Sequence, residues 1–552
     1  MSKSKTAPKP QLMPPIVYLA FAGGLGCATF HLLGMGQSGV KWATLAGAAT
    51  GVLTVAQVIS AFDSQIQIRA YRRIKREYEA NAGKHGQSSF ASEPEIAQSE
   101  LNSKTGIFLG AIRGRFGRMR DLVYDGQRAV LVLAPAGAEK SMSIAVPTLL
   151  TDVKRSYVVT DLSGELFALT SEARRRAGNR IVCLCPWASE MSDRLDMEVK
   201  DAGLNIFSSI NPKLSPETLK DEIALRSALV LPGTAKEEAK FRFFRDTGRE
   251  CIEAVALKAF AEQRTPTLAE VREVLKSTGD LNEFFASMAS YEDFGRLLIQ
   301  YGRSLGMTMN SAPEQFMASV STATLGLTCY DSFGPMAAHS QGGFDPSTLK
   351  DDVPTTVYII WPGERLHTHQ APLNTTISYL IEMVARDPRL KTVRFCLDEV
   401  FNCGYLGNLV RAMAQYRKQG VQCILFGQTA SQGMRIYSQE GFRDIMNLSD
   451  VVATTGMVEH ESLKLLSAMA GEAALADIGI SDPRGAEGFE PPNRNLSHRT
   501  RPLLRAEEIR RMPSSDMLIF HRNLPVIRCT KVPYWTRPSF AALAGKNPYY
   551  RG

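Results

Sequence analysis

Apolar and charged positions are unevenly spread along this chain. Ile16–Leu33 contains no Lys, Arg, Asp or Glu, and neither does Trp42–Phe62. Each run is long enough to cross a hydrocarbon core as a helix. The polar stretch Gly34–Lys41 lies between them, so the pattern predicts an N-terminal transmembrane hairpin within residues 1–70, with helices at about 16–33 and 42–62. Gly47 and Gly51 add a spacing that lets helices approach closely in lipid. Lys3, Lys5 and Lys9 precede the first run, Arg69, Arg72, Arg73, Lys75 and Arg76 follow the second, and Lys41 alone lies in the connection. Basic flanks stay on the cytoplasmic side, which puts both ends and the rest of the chain there.

From residue 71 the pattern changes. Residues 71–104 read as a polar connector, Ser-rich from Gly83 to Lys104. Beyond it, short apolar segments alternate with helical stretches. The candidate strands are Ala129–Ala134, Tyr157–Asp161, Ile181–Leu184, Thr355–Trp361, Val393–Asp398, Gln422–Gly427 and Val451–Thr455. Strands so short and so apolar are covered on both faces, which predicts a doubly wound, parallel α/β sheet. Between Ser215 and Gly342 the strand signal vanishes, while Glu250–Gln263, Leu268–Ser277 and Tyr291–Tyr301 carry helical spacing. The plan is therefore an α/β domain in two parts, 105–214 and 343–540, around an all-α insertion, 215–342, with a tail at 541–552. Met517–His521 and Val526–Val532, on either side of Asn523-Leu524-Pro525, read as a β-hairpin.

Composition changes this picture little. With 44% hydrophobic and 22% charged residues, disorder is excluded as the main state. Nine cysteines, an odd number, argue against a disulfide framework, and Cys183-Leu-Cys185 does not have zinc-site spacing. A reducing compartment follows. The net charge of +8 permits an anionic partner, but several of its basic residues flank the apolar runs and set topology.

Three segments carry candidate chemistry. Ala134-Pro135-Ala136-Gly137-Ala138-Glu139-Lys140-Ser141 follows a predicted strand and precedes a predicted helix, the place of a phosphate-binding P-loop. Backbone N–H groups of Ala136, Gly137, Ala138, Glu139, Lys140 and Ser141 would cradle the phosphates of ATP. Lys140 would reach the β- and γ-phosphates, and the Ser141 hydroxyl would ligate Mg²⁺. Two positions depart from G-x-x-x-x-G-K-[ST]: Ala134 at the first glycine and Glu139 at the second. A carboxylate about 4 Å from a phosphate costs roughly 4 kcal/mol per charge pair at an effective dielectric near 20. Either that side chain swings outward or nucleotide binding is weakened.

The second segment, Val393–Leu397 followed by Asp398-Glu399, has the form of a Walker B strand: Asp398 would hold Mg²⁺ and Glu399 would polarise the attacking water. The third is Gln428, after the apolar Gln422–Gly427, where RecA-like motors carry a residue that senses the γ-phosphate or orients water; a helix-capping or turn role is the alternative.

Taken in order, these segments resemble the type IV secretion coupling proteins, the TraG/TraD-type conjugative transfer ATPases. Further matching stretches are Gln87-Ser88-Ser89-Phe90-Ala91, Tyr124-Asp125-Gly126, Val146-Pro147-Thr148-Leu149-Leu150 and Asp161-Leu162-Ser163-Gly164-Glu165-Leu166. So are Val353–Tyr358, Leu397–Asn402, Asn447-Leu448-Ser449-Asp450 and Arg501-Pro502-Leu503-Leu504. The resemblance implies a RecA-like P-loop NTPase domain with an inserted all-α domain, behind a transmembrane hairpin in the cell inner membrane. It implies a homo-hexamer using ATP and Mg²⁺, with an arginine supplied in trans. It also implies partners: relaxase-bound single-stranded DNA or effector proteins, and components of a type IV secretion channel. Arg113, Arg115, Arg118 and Arg120, and Arg174–Arg176, offer charge that could track DNA without reading sequence; solvated surface charge is the other reading. Glu139 motivates a different class of function, a hydrolysis-deficient membrane scaffold or substrate receptor.

Overall fold

A computed structural model describes residues 49–55, 88–114, 117–233, 238–277, 281–291, 294, 296–481 and 493–550. The chain divides into two compact units, one combining Met1–Ser88 with Glu472–Arg501, the other Ser89–Gly471 with Pro502–Gly552. The expected membrane hairpin lies almost wholly outside the described residues. Among the described residues no helix is long and apolar enough to cross a membrane.

In chain order the strands are β1 (Ile107–Arg113), β2 (Met119–Tyr124), β3 (Ala129–Leu133), β4 (Ser156–Asp161) and β5 (Arg180–Leu184). Then come β6 (Thr355–Ile360), β7 (Val393–Leu397), β8 (Val421–Gly427) and β9 (Ser449–Thr454). The last are β10 (Glu472–Ser481), β11 (Asn493–Pro502), β12 (Asp516–His521) and β13 (Ile527–Thr530). β10 and β11 pair with each other as a separate two-stranded sheet.

The larger unit is built on an 11-stranded sheet in the order β2-β1-β13-β12-β9-β3-β8-β7-β4-β6-β5. From β9 to β5 every pairing is parallel. From β2 to β9 every pairing is antiparallel. The sheet is therefore mixed: a parallel part made of the expected apolar strands, extended by an antiparallel part that includes the expected terminal hairpin. β1 joins the terminal hairpin through Ala111 and Thr530, a pairing between the two ends of this unit that no local pattern announces. β2 carries Arg120 and Asp121 within six residues and lacks the apolar run of a buried strand.

The parallel strands inside the edge strand β5 are buried on both faces, and alternate residues feed two cores. Leu131, Leu133, Val158, Val357, Phe395 and Leu425 face one of them. Val130, Val132, Val159, Tyr358, Cys396 and Ile424 face the other. Between β5 and β6 the chain runs through helices Pro216–Val230, Ala239–Ala261, Leu268–Lys276, Leu281–Ala289, Leu297–Ser311 and Pro313–Gly326. Their apolar residues, among them Ile223, Ile252, Leu257 and Phe316, belong to the first core. One expected helix is displaced: Phe294 and Arg296 adopt left-handed φ values of 75° and 62°, so the helix predicted at Tyr291–Tyr301 starts only at Leu297. A β-carbon at such φ opposes helix propagation.

Gly427 shows how tightly the strand ends are packed. A Cβ there would lie 2.2 Å from the Phe401 ring, itself set edge-on against Phe442 with centroids 5.9 Å apart. Gly427→Ala is therefore expected to destabilise by about 1–3 kcal/mol, the range for overpacking. A urea midpoint unchanged from wild type would refute this packing argument.

Candidate functional site

The candidate residues converge at the C-terminal ends of β3, β8 and β7, where open α/β sheets bind ligands. β8 stands between the other two, so Gln428, directly after Gly427, lies at the end of the strand that separates the P-loop from Asp398-Glu399. The register is tied at this point by the Ala134 amide, which donates to the Gly427 carbonyl at 3.1 Å.

The loop turns through left-handed φ at Gly137 (76°) and Glu139 (58°). Glu139 thus keeps the backbone conformation that a glycine would hold without strain. From Ser141 the chain enters a π-helical turn, Ser141–Ala145, which continues as the α-helix Val146–Thr151. The Glu139 carboxylate is paired with Lys531, Oε2 to Nζ at 2.9 Å. The same ammonium donates to the Ala138 carbonyl at 3.1 Å. Of the two outcomes open at the sequence level, the side chain has taken the one directed to a partner.

Ser141 Oγ donates to Asp398 Oδ2 at 2.8 Å, which joins the two segments directly. Asp398 is also held from behind: Thr160 Oγ1 on β4 donates to its carbonyl at 3.0 Å, and the Glu399 amide to its Oδ1 at 3.1 Å. Burial pushes the Asp398 carboxyl above the usual range, and the Lys140 charge and the Ser141 hydroxyl oppose that. Lys140 is only 7% exposed, and its ammonium faces Glu399 Oε1 at 3.8 Å, beyond hydrogen-bond reach. Glu399 is itself in the left-handed region, with φ 49°, a strained backbone of the kind found at functional sites. Asn402 Nδ2 donates to Glu399 Oε2 at 2.6 Å, and Gln432 Nε2 to Asn402 Oδ1 at 2.5 Å.

These residues fit a nucleotide with its cation. A nearly buried ammonium with only a long ion pair offers charge to a phosphate, and a hydroxyl beside a carboxylate is the hard-oxygen set Mg²⁺ takes when it keeps several waters. Among the described residues no cluster of three or more His, Cys, Asp or Glu side chains forms an all-protein metal site.

Sequence reasoning gave no role to Asn402, Gln432, Thr160 or Lys531. Asn402 belonged to a matched stretch, so its position was visible but its partner was not. Asp161, in another matched stretch, caps the turn after β4: it accepts from the Gly164 and Phe167 amides, each at 2.8 Å. The tail returns to this turn, with Asn547 Nδ2 donating to Glu165 Oε1 at 2.7 Å. One basic cluster is corrected. Arg174 is fully buried, binding Thr356 Oγ1 at 2.6 Å and the Leu149 carbonyl at 2.8 Å. Arg175 and Arg176 pair with Glu172. Helical spacing turned one arginine of the three inward, and Arg115 of the other cluster lies outside the described residues.

Burial raises the Asp161 carboxyl to about 7, against the Phe167, Ser163 and Gly164 amides that lower it, with nearby Asp398 adding to the rise. The folded chain then holds a proton that the unfolded chain releases near the ordinary aspartate value of 3.8. The resulting stabilisation is full below about pH 4 and is lost as pH rises through about 7. Relative to Asp161→Asn, which does not titrate, wild type should lose stability between pH 5 and pH 8. A difference in unfolding free energy that stays constant across that range would sink the assignment.

With this geometry in hand, the chain was compared with known proteins. A family model described as Type IV secretory system Conjugative DNA transfer matches residues 80–550. The chain belongs to that family. Among relatives, it is 24% identical over 454 residues to the conjugal transfer protein TraG of Rhizobium radiobacter, covering 79% of this chain and 65% of TraG. It is 23% identical to the type IV secretion system-coupling protein VirD4 of Bartonella henselae, covering 77% of this chain and 65% of VirD4. The matched region thus spans slightly under two thirds of those relatives. Among solved structures, the bacterial conjugative coupling protein TrwB in an unbound form superimposes with a TM-score of 0.60 at 14% identity, covering 81% of this chain and 92% of TrwB. TrwB has also been solved with ADP and Mg²⁺, with a TM-score of 0.54 at 14% identity, covering 79% of this chain and 97% of that one. The shared architecture is an α/β NTPase fold, and the family is the one its motifs resemble.

Proposed function

We propose that this family member is a type IV secretion coupling protein, an inner-membrane ATPase that recruits relaxase-bound single-stranded DNA or protein substrates and delivers them to a secretion channel during conjugative transfer. The observation that carries the reading is the Ser141–Asp398 hydrogen bond of 2.8 Å with Lys140 and Glu399 beside it, at the end of parallel strands. The names TraG, VirD4 and TrwB among its relatives support the transfer role.

In this reading the loop amides from Ala136 to Ser141 bind phosphate oxygens, and Lys140 neutralises charge on them. Ser141 and Asp398 would hold Mg²⁺, which would supply electrostatic stabilisation of the phosphates. Glu399, aimed by Asn402, takes the proton of the attacking water, and Gln428 orients that water or senses the terminal phosphate. The two apolar N-terminal runs anchor the chain as a hairpin, the helices of 215–342 act as an inserted domain, and identical subunits assemble as a hexamer.

The scaffold alternative rested on the Glu139 carboxylate, and its pairing with Lys531 lessens that objection to nucleotide binding. The test is ATP hydrolysis by the purified full-length chain with and without single-stranded DNA. The coupling reading expects DNA-stimulated turnover. Tight ATP binding without turnover would favour the scaffold.

A further inference from the structure

The P-loop glutamate is met by a lysine 393 residues beyond Ala138. We propose that Lys531 is a positioning residue for the P-loop: it draws the Glu139 carboxylate away from the anion site and so restores phosphate binding to a loop that carries a negative charge. The inference rests on the nucleotide reading above and deepens it.

Three observations carry it. Lys531 is 9% exposed and placed by the sheet, directly after β13, where its amide donates to the Ser515 carbonyl at 2.7 Å. Its ammonium clamps two consecutive loop groups, the Ala138 carbonyl at 3.1 Å and the Glu139 carboxylate at 2.9 Å. Glu139 keeps a left-handed φ of 58°, so the backbone path expected of glycine is preserved while the side chain is committed elsewhere. An unclamped carboxylate on that loop would be free to turn toward the loop amides, in competition with a phosphate. Lys140 does not take up this charge, since its ammonium faces Glu399.

The test is a four-protein cycle: wild type, Lys531→Ala, Glu139→Gly and the double variant, each titrated with MgATP by calorimetry. Lys531→Ala should weaken ATP binding at least about tenfold when Glu139 is present and less than about threefold when glycine replaces it. Lys531→Arg should recover most of the wild-type affinity, because it returns the charge to the same place. Equal losses in both backgrounds, or no loss in either, would overturn the proposal while leaving nucleotide binding intact. Absence of ATP binding in all four proteins, with native unfolding midpoints, would overturn the nucleotide reading and this inference with it.

Discussion

Glu399→Gln is expected to lower ATP turnover by about 10²- to 10⁴-fold, the range for loss of a general base, with ATP affinity kept. The substitution preserves size and the acceptor oxygen that Asn402 Nδ2 reaches at 2.6 Å, so the strained turn after β7 stays in place. What is lost is the capacity to take a proton, together with the negative charge 3.8 Å from the Lys140 ammonium. Single-turnover hydrolysis and equilibrium ATP binding measured on the same preparation separate the two effects. Turnover within about threefold of wild type would remove Glu399 from the mechanism. Asn402→Ala gives the companion result: a smaller fall in turnover, because the carboxylate remains but its aim is lost.

The second large effect is predicted far from the chemistry. Arg394, 1% exposed, opens β7 at the end opposite Asp398. Its guanidinium donates to Gln422 Oε1 at 2.8 Å and Asp125 Oδ1 at 3.0 Å, and it also pairs with Asp152. Tyr157 donates to the same Asp152 at 2.7 Å, and Arg155 pairs with it at 3.1 Å. Arg394→Met should cost about 3 kcal/mol or more, since it leaves the buried Asp152 carboxylate short of a partner. Lysine should not rescue it, because one ammonium cannot replace a planar fork that serves four side chains, Tyr157 included. The check is the denaturant midpoint of both variants. A loss below about 1 kcal/mol would mean the pair is not worth its burial to the fold.

The parallel half of the sheet was legible because its physics is local. Strands such as Thr355–Ile360 and Val421–Gly427 are buried at every position, and their short, predominantly apolar runs without a charged residue betray that burial. The antiparallel half was legible only where two strands are neighbours in sequence, as in the terminal hairpin. β1 and β2 were not, although they are neighbours in sequence and pair with each other: β2 carries Arg120 and Asp121 without an apolar run, and β1 is closed on its other side by the distant Thr530. Among site residues, Lys140, Ser141, Asp398 and Glu399 stood out by residue type at a strand end. Thr160 and Lys531 did not, since each acts through a contact across the fold, and Asn402 did not because its bond to Glu399 depends on the turn after β7.

The linear sequence therefore determined by itself the family, the parallel strands of the sheet and the residue types gathered at the candidate site. It also determined that Glu139 sits where a P-loop has glycine. Whether that charge opposes the phosphate or is neutralised was decided only by the tertiary structure. The sheet carries β13 beside the loop, and Lys531 comes within 2.9 Å of the carboxylate. Composition counts one basic and one acidic residue there; the attraction between them depends on distance and burial, which the fold alone supplies.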